Sequence, residues 1–385
     1  CIVIGAFVLT LGYLLLSIPG VPEHNIALAL AVIIVGNGLF KANPSSLLSK
    51  VYASTDANVD SGFTLFYMAI NVGAFISLLL VPILSHIFSW RIGFIVCFAG
   101  LVLAILTFFW KKGWIADVGS EPDTKPLNLL HLFVVLVGAI VIAAIAYMLL
   151  KHSSLAAVIL VAATIVYLML YVLEIVRADK KERAPMWLFL ILFFEGVVFF
   201  ILYIQIQTSL TLFALRNITH NVFGIPFQPG SFQSLNPFWI IIMSPILAAV
   251  YQRMSNKNKD LSMPAKFAIG IMLAGSSFIL LWLVTKYLAV NGVISGSWLV
   301  ASYGLQSTGE LLVSALGLAV ASKFVPQRLM GFAMGIWLLS VSVASSIGGL
   351  LASTASVTGR VHDPVQSLAL YRHLFAELGW GALTL

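Results

Sequence analysis

Residues 193–210 read FFEGVVFFILYIQIQTSL, the middle of an apolar run from 186 to 213 that holds one carboxylate, Glu195. Such a run exceeds the roughly 20 residues that carry a helix across a bilayer, and a charge at its centre costs about 2.5–3.5 kcal/mol on insertion scales. The pattern recurs. Apolar runs fall at about 1–17, 26–50, 61–86, 91–110, 127–150, 154–176, 186–213, 231–252, 264–289, 297–323, 327–351 and 367–385. With 61% hydrophobic and 9% charged residues, against about 25% charged in a soluble domain, the chain has too little polar surface to cover a water-soluble fold. It reads as an all-α polytopic membrane protein.

The net charge of +7 raises the question of nucleic acid, and the placement of Lys and Arg answers it. One alternating set of loops carries fourteen of them, including Lys111, Lys112, Lys180, Lys181 and Arg183, and the other set carries six. By the positive-inside rule the richer side is cytoplasmic, so residue 1 starts there. The basic balance reports topology and membrane lipid, not nucleic acid. Cys1 and Cys97 lie in apolar surroundings and make no disulfide framework. The first run lacks the basic flank of a signal peptide. Because it opens on Cys1 and the last run reaches Leu385 without a polar flank, the chain is expected to be a fragment.

The polar intervals 111–126 and 177–185 bracket the runs at 127–150 and 154–176, which carry almost no internal polar residue. They read as a lipid-facing helical hairpin between two functional bundles. Three ionisable residues sit well inside their runs, Lys41, Glu195 and Glu310, and such groups normally face a protein interior or an aqueous cavity. In GNGLFKANPSSLL (36–48) Asn37, Gly38 and Ser45 share the helical face of Lys41; in LQSTGELLVSALG (305–317) Gln306, Ser314 and Gly317 share that of Glu310. Glu195 shares a face with Phe199 and Tyr203, a carboxylate with an aromatic wall. Tyr67 and Asn71 in FYMAINVGA (66–74), and Ser234 and Asn236 in FQSLNPFW (232–239), offer uncharged hydrogen bonds. Buried Asn, Ser and Gln often only join helices, at about 0.6 kcal/mol each, and Tyr67, Phe199 and Trp337 also suit plain packing. One cation and two anions lining a cavity complement a zwitterion, whose carboxylate meets Lys41 and whose ammonium meets Glu310. No metal cluster, in-membrane His or nucleophile–base pair points to an enzyme.

These segments, GLFKAN, FYMAIN, FQSLNPFW and GELLVSALGLA, occur in the order found in bacterial di- and tripeptide permeases, and the whole chain resembles the proton-coupled oligopeptide transporter family of the major facilitator superfamily. The resemblance implies symport of dipeptides and tripeptides with protons across the cytoplasmic (inner) membrane by alternating access, with no cofactor beyond the proton and the monomer as functional unit. It implies Lys41 near the peptide carboxylate, Asn71, Asn236 and Glu310 around the peptide backbone and amine, Trp337 as pocket wall, Tyr67 and Ser314 nearby, and Glu195 as the proton-coupling carboxylate. It also shifts the helix count. The first run resembles the family's third helix, so the expectation is an N-terminally truncated chain with core helices 3–6 in 1–110, an inserted hairpin in 111–185 and core helices 7–12 in 186–385. The family's ExxER motif on its first helix is absent, and proton coupling is therefore inferred rather than read. Transport of another small anion or zwitterion, such as nitrate, or peptide sensing without transport, stay open as alternatives.

Overall fold

The computed structural model describes residues 2–18, 23–41, 43–44, 47–48, 59–115, 128–257, 259, 261–355 and 363–384. Each apolar run becomes helix, because only internal hydrogen bonding satisfies a backbone that lipid cannot. The helices are α1 (Ile2–Ser17), α2 (Glu23–Phe40), α3 (Val59–Ile87), α4 (Trp90–Lys111), α5 (Leu129–Lys151), α6 (Ser153–Arg177), α7 (Lys180–Ile204), α8 (Ser209–Asn217), α9 (Leu235–Ser255), α10 (Met263–Tyr287), α11 (Ser297–Phe324), α12 (Met330–Thr354) and α13 (Pro364–Leu383). Among the described residues eight helical segments are long and apolar enough to cross a membrane. Their starts follow local chemistry. Ser89, Asn128, Ser262 and Asp363 each cap a first turn by accepting a backbone N–H, the Asn128 and Asp363 oxygens at 2.9 Å.

Two runs break where a continuous helix was expected. Helix α2 ends at Phe40, four residues before Pro44, which has no N–H to return to the Phe40 carbonyl. The run at 186–213 divides into α7 and α8 around residues 205–208, where side chains take over backbone carbonyls. Gln205 Nε2 donates to Ile201 O at 3.0 Å, Thr208 Oγ1 to Ile204 O at 3.0 Å and Thr211 Oγ1 to Ile206 O at 2.8 Å. Such back-bonding competes with the helical ladder and bends it.

The chain forms two compact units, one of residues 1–70 and 80–156, the other of residues 71–79 and 157–385. In the first, α1 and α2 cross with their backbones in contact, and α4 packs on α1 and α5 on α2. Helix α5 buries none of its residues. The second unit has an aromatic core that includes Phe189, Phe193, Phe199, Phe213, Phe267, Phe278 and Phe375, all fully buried. Helix α6 joins that core through Tyr171, which is fully buried, lies 5.3 Å from Phe189 between ring centroids and donates its hydroxyl to Met186 O at 3.3 Å. A two-residue hairpin, Asn221–Val222 with Ile225–Pro226, links α8 to α9. Its turn places Phe223 and Gly224 at φ 52° and 87°, the left-handed geometry that matches the twist of paired strands.

Candidate functional site

The midpoint of α11 carries the most highly wired carboxylate of the second unit. Ser307 and Glu310 stand on one helical face, and Asn236, in the first turn of α9, donates from Nδ2 to both, to Glu310 Oε2 at 2.6 Å and to Ser307 Oγ at 3.0 Å. The Tyr203 hydroxyl, from the last turn of α7, donates to Glu310 as well. Glu310 is only 7% exposed. Hydrogen bonds to a charged group are worth about 1.5–3 kcal/mol, so two donors from two helices hold the carboxylate in a fixed orientation. Backbone contact sets its depth. A methyl on the adjacent Gly309 would lie 2.5 Å from Gly270 O of α10, and only glycine lets α10 and α11 meet this closely.

Glu195 stands about two turns earlier on α7 and differs in kind. It is half-buried, and its Oε2 is buried with no hydrogen-bond partner among the described residues. Its neighbour Gly196 faces Trp337 of α12, where an added methyl would sit 3.0 Å from the indole Cη2. Trp337 is 4% exposed and packs edge-on against Phe200 at 6.4 Å and Phe267 at 6.0 Å. The ion pairs among the described residues, Arg177–Glu174, Arg328–Glu182 and His373–Glu377, include neither Glu195 nor Glu310.

The remaining residues singled out from the sequence distribute as follows. Asn236 and Glu310 touch directly, and Ser314, half-buried, follows one turn after Glu310. Asn71 is buried in the 71–79 segment of α3. That segment adjoins the start of α9, since Ser231 Oγ donates to Leu79 O at 3.0 Å and the rings of Phe75 and Phe238 lie 6.0 Å apart. Lys41 and Tyr67 belong to the first unit and are exposed. Lys41 follows the last residue of α2, its N–H bonded to Asn37 O at 2.8 Å, and Ser45 lies outside the described residues. Tyr203, grouped by spacing with Glu195, serves Glu310 instead. The QIQTS stretch at 205–209, four polar residues in an apolar run, was the available signal that α7 changes there.

In comparisons with known proteins, a sequence model of the family described as the POT family matches residues 1–366. The chain is 43% identical over 378 residues to "Dipeptide and tripeptide permease A" of Cronobacter turicensis, covering 98% of this chain and 75% of that protein. It is 42% identical over the same length to permease A of Escherichia coli K12 and to "Dipeptide and tripeptide permease B" of Salmonella typhimurium. These alignments cover 98% of this chain and 75% and 77% of the relatives. Among solved structures, tetrameric PepTSo2 superposes with a TM-score of 0.88 at 35% identity over 100% of this chain and 80% of the other. A peptide transporter POT in complex with sulfate superposes with 0.82 at 28% identity, covering 100% and 78%.

Proposed function

The chain belongs to the POT family, and from that membership and the Glu310 site we propose that it is a proton-coupled symporter of dipeptides and tripeptides, working in the inner membrane by alternating access. The observation that carries this reading is a carboxylate held by Asn236 and Tyr203 inside an apolar unit, with no Lys or Arg paired to it among the described residues. An oriented anion of this kind suits a ligand that brings its own cation. A peptide ammonium does so, and Glu310 is its site. Asn236 and Asn71 supply uncharged donors and acceptors for the peptide backbone, and Ser314, Tyr67 and Trp337 complete the lining. Lys41 receives the terminal carboxylate.

Contacts to the backbone and termini leave side chains unread, which favours many peptides of one length class. Glu195, with an oxygen unpartnered among the described residues, is the coupling group. It exchanges a proton, and that exchange biases which side of the membrane the site faces, because a ligand shifts a conformational equilibrium by its differential affinity for the two states. A proton entering down 100 mV contributes about 2.3 kcal/mol, enough for roughly 50-fold accumulation of a zwitterion. The proton is the only coupling ion required and no chemical conversion of the peptide is involved. The single chain is the transport unit, and residues 111–185 form an insertion between the two bundles.

The test is uptake of a labelled dipeptide by the full-length protein in liposomes. An inward proton gradient should drive accumulation above the external concentration, and a protonophore should abolish it. Uptake that ignores the gradient would remove the symport reading.

A further inference from the structure

The first unit holds an apolar cavity of about 350 Å³, within the size range of small-ligand sites. Residues from the start of α1, the end of α2 and the second half of α4 wall it, and every described residue that lines it is apolar, Ala6, Phe40, Ile105 and Phe109 among them. All three of these helix ends lie on the side richer in Lys and Arg, so the cavity sits at the depth of the cytoplasmic leaflet. Backbone contact preforms its wall. A methyl on Gly5 of α1 would lie 2.7 Å from Phe40 N of α2, so the two helices meet there without intervening side chains. An open groove runs along the neighbouring face of α4, from Gly100 past Thr107 to Lys111 and Trp114. By helical spacing the cavity and groove residues form adjacent stripes on α4, and Ala104 and Phe108 line both. From Gly100 to Trp114 the rise is about 21 Å, roughly half the 40–45 Å of a bilayer with its headgroups.

The groove ends on a cation set among indoles. Lys111 Nζ lies 4.3 Å from the ring centroid of Trp110 and 4.0 Å from that of Trp114, and the two indoles are 78% and 79% exposed. Lys112 follows, also exposed. The ion pairs among the described residues include neither lysine. Trp beside Lys marks the headgroup level of a membrane, and the cytoplasmic leaflet is the one that carries anionic lipid. We propose that cavity and groove together bind an anionic phospholipid of the cytoplasmic leaflet, its phosphate on Lys111 and Lys112 beside the indoles and one acyl chain passing Ala104 and Phe108 into the cavity. A soluble anion satisfies the lysines and leaves the apolar cavity unfilled. A neutral hydrocarbon does the reverse. A phospholipid meets both, and its chain braces the start of α1 and the end of α2 against α4. The site lies wholly within the first unit and does not rest on the Glu310 reading.

The test is photolabelling of the full-length protein in nanodiscs with a phosphatidylglycerol that carries a diazirine in one acyl chain, the adducts being mapped by mass spectrometry. Ile105 decides, because it is buried and only a chain inside the cavity reaches it. Ile140 and Ile142 of α5, both exposed, report ordinary lipid contact. Ile105 should be labelled at least as strongly as the α5 pair. The zwitterionic phosphatidylcholine analogue should label it about 25-fold less, since each basic side chain at the surface favours anionic lipid about fivefold. Replacing both lysines, Lys111→Gln with Lys112→Gln, should cause a similar drop. Ala104→Trp, at an exposed position where cavity and groove adjoin, should remove the Ile105 adduct and spare those on α5. Excess inorganic phosphate should leave the label in place. Label confined to α5 in the wild-type protein means that something other than this lipid fills the cavity and overturns the proposal. Equal labelling of Ile105 by the two lipids, or undiminished labelling in either the lysine or the Ala104 variant, overturns it as well. Loss of the label to phosphate would make the site one for a soluble anion and overturn the lipid.

Discussion

Glu310 and Glu195 are both carboxylates set in apolar helices of one unit, yet one is bonded by Asn236 and Tyr203 and the other keeps a buried oxygen with no partner among the described residues. Each also adjoins a glycine at a helix contact, Gly309 against the Gly270 backbone and Gly196 against the Trp337 ring. The difference separates two jobs. A carboxylate whose orientation is fixed by donors from two other helices can select a ligand cation. One with an unmet oxygen gains by taking up a proton or a new partner, and so responds to conformation. Substitution at the two places should therefore produce different kinds of loss.

The largest effect belongs to Glu310→Gln, which keeps the shape and removes the charge. Dipeptide affinity should fall about 10- to 100-fold, the worth of one charge-assisted hydrogen bond, as measured by binding to the purified full-length protein. N-acetylated dipeptides, which lack the ammonium, should lose little. Unchanged dipeptide affinity would place the amine site elsewhere.

Lys41→Ala should weaken peptides with a free terminal carboxylate about tenfold and amidated ones hardly at all, the loss of one ionic hydrogen bond. An equal loss for both ligands would reassign Lys41 to gating or coupling. Asn236→Ala takes away the amide that serves Glu310 and Ser307, leaving the carboxylate with one fewer donor. A loss of about 1 kcal/mol, near fivefold in affinity, is expected, with no such loss for a substrate whose binding bypasses Glu310.

The two glycines should change stability while leaving the binding groups themselves in place. Gly309→Ala drives a methyl to 2.5 Å from a backbone oxygen, whereas at Gly196→Ala the nearest atom, at 3.0 Å, belongs to an indole. Overpacking of this kind costs about 1–3 kcal/mol where the surroundings cannot yield. Thermal unfolding in detergent should show Gly309→Ala as the more destabilised of the pair. The reverse order would mean that Trp337, wedged between Phe200 and Phe267, is the less yielding neighbour.

Much of this was legible in the sequence, because the bilayer forces a simple code. Long apolar runs can only be helices, the asymmetry of Lys and Arg orients them, and an ionisable residue such as Glu310 or Glu195 in such a run stands out. Asn236 was visible as a polar residue in a helix start, though not that its amide spans Ser307 and Glu310. The limits came from what periodicity does not encode. Spacing on α7 grouped Tyr203 with Glu195, but a long side chain at a helix end reaches across to another helix. The QIQTS stretch marked the break at 205–208 only as a polar dip, because a hydropathy window does not show that Gln205, Thr208 and Thr211 bond carbonyls of their own helix.

The account stands or falls on the division of labour between the two carboxylates, and paired assays on Glu310→Gln and Glu195→Gln in full-length protein in liposomes test it most directly. Each variant would be measured for uphill dipeptide uptake under an inward proton gradient and for dipeptide counterflow without one. Glu195→Gln, fixed in the neutral state, should lose the roughly 50-fold accumulation that one proton at 100 mV supports and keep counterflow near wild type. Glu310→Gln, measured at dipeptide concentrations below the wild-type Kd, should lose both. Uphill uptake that survives in Glu195→Gln, or counterflow that survives unweakened in Glu310→Gln, would contradict it.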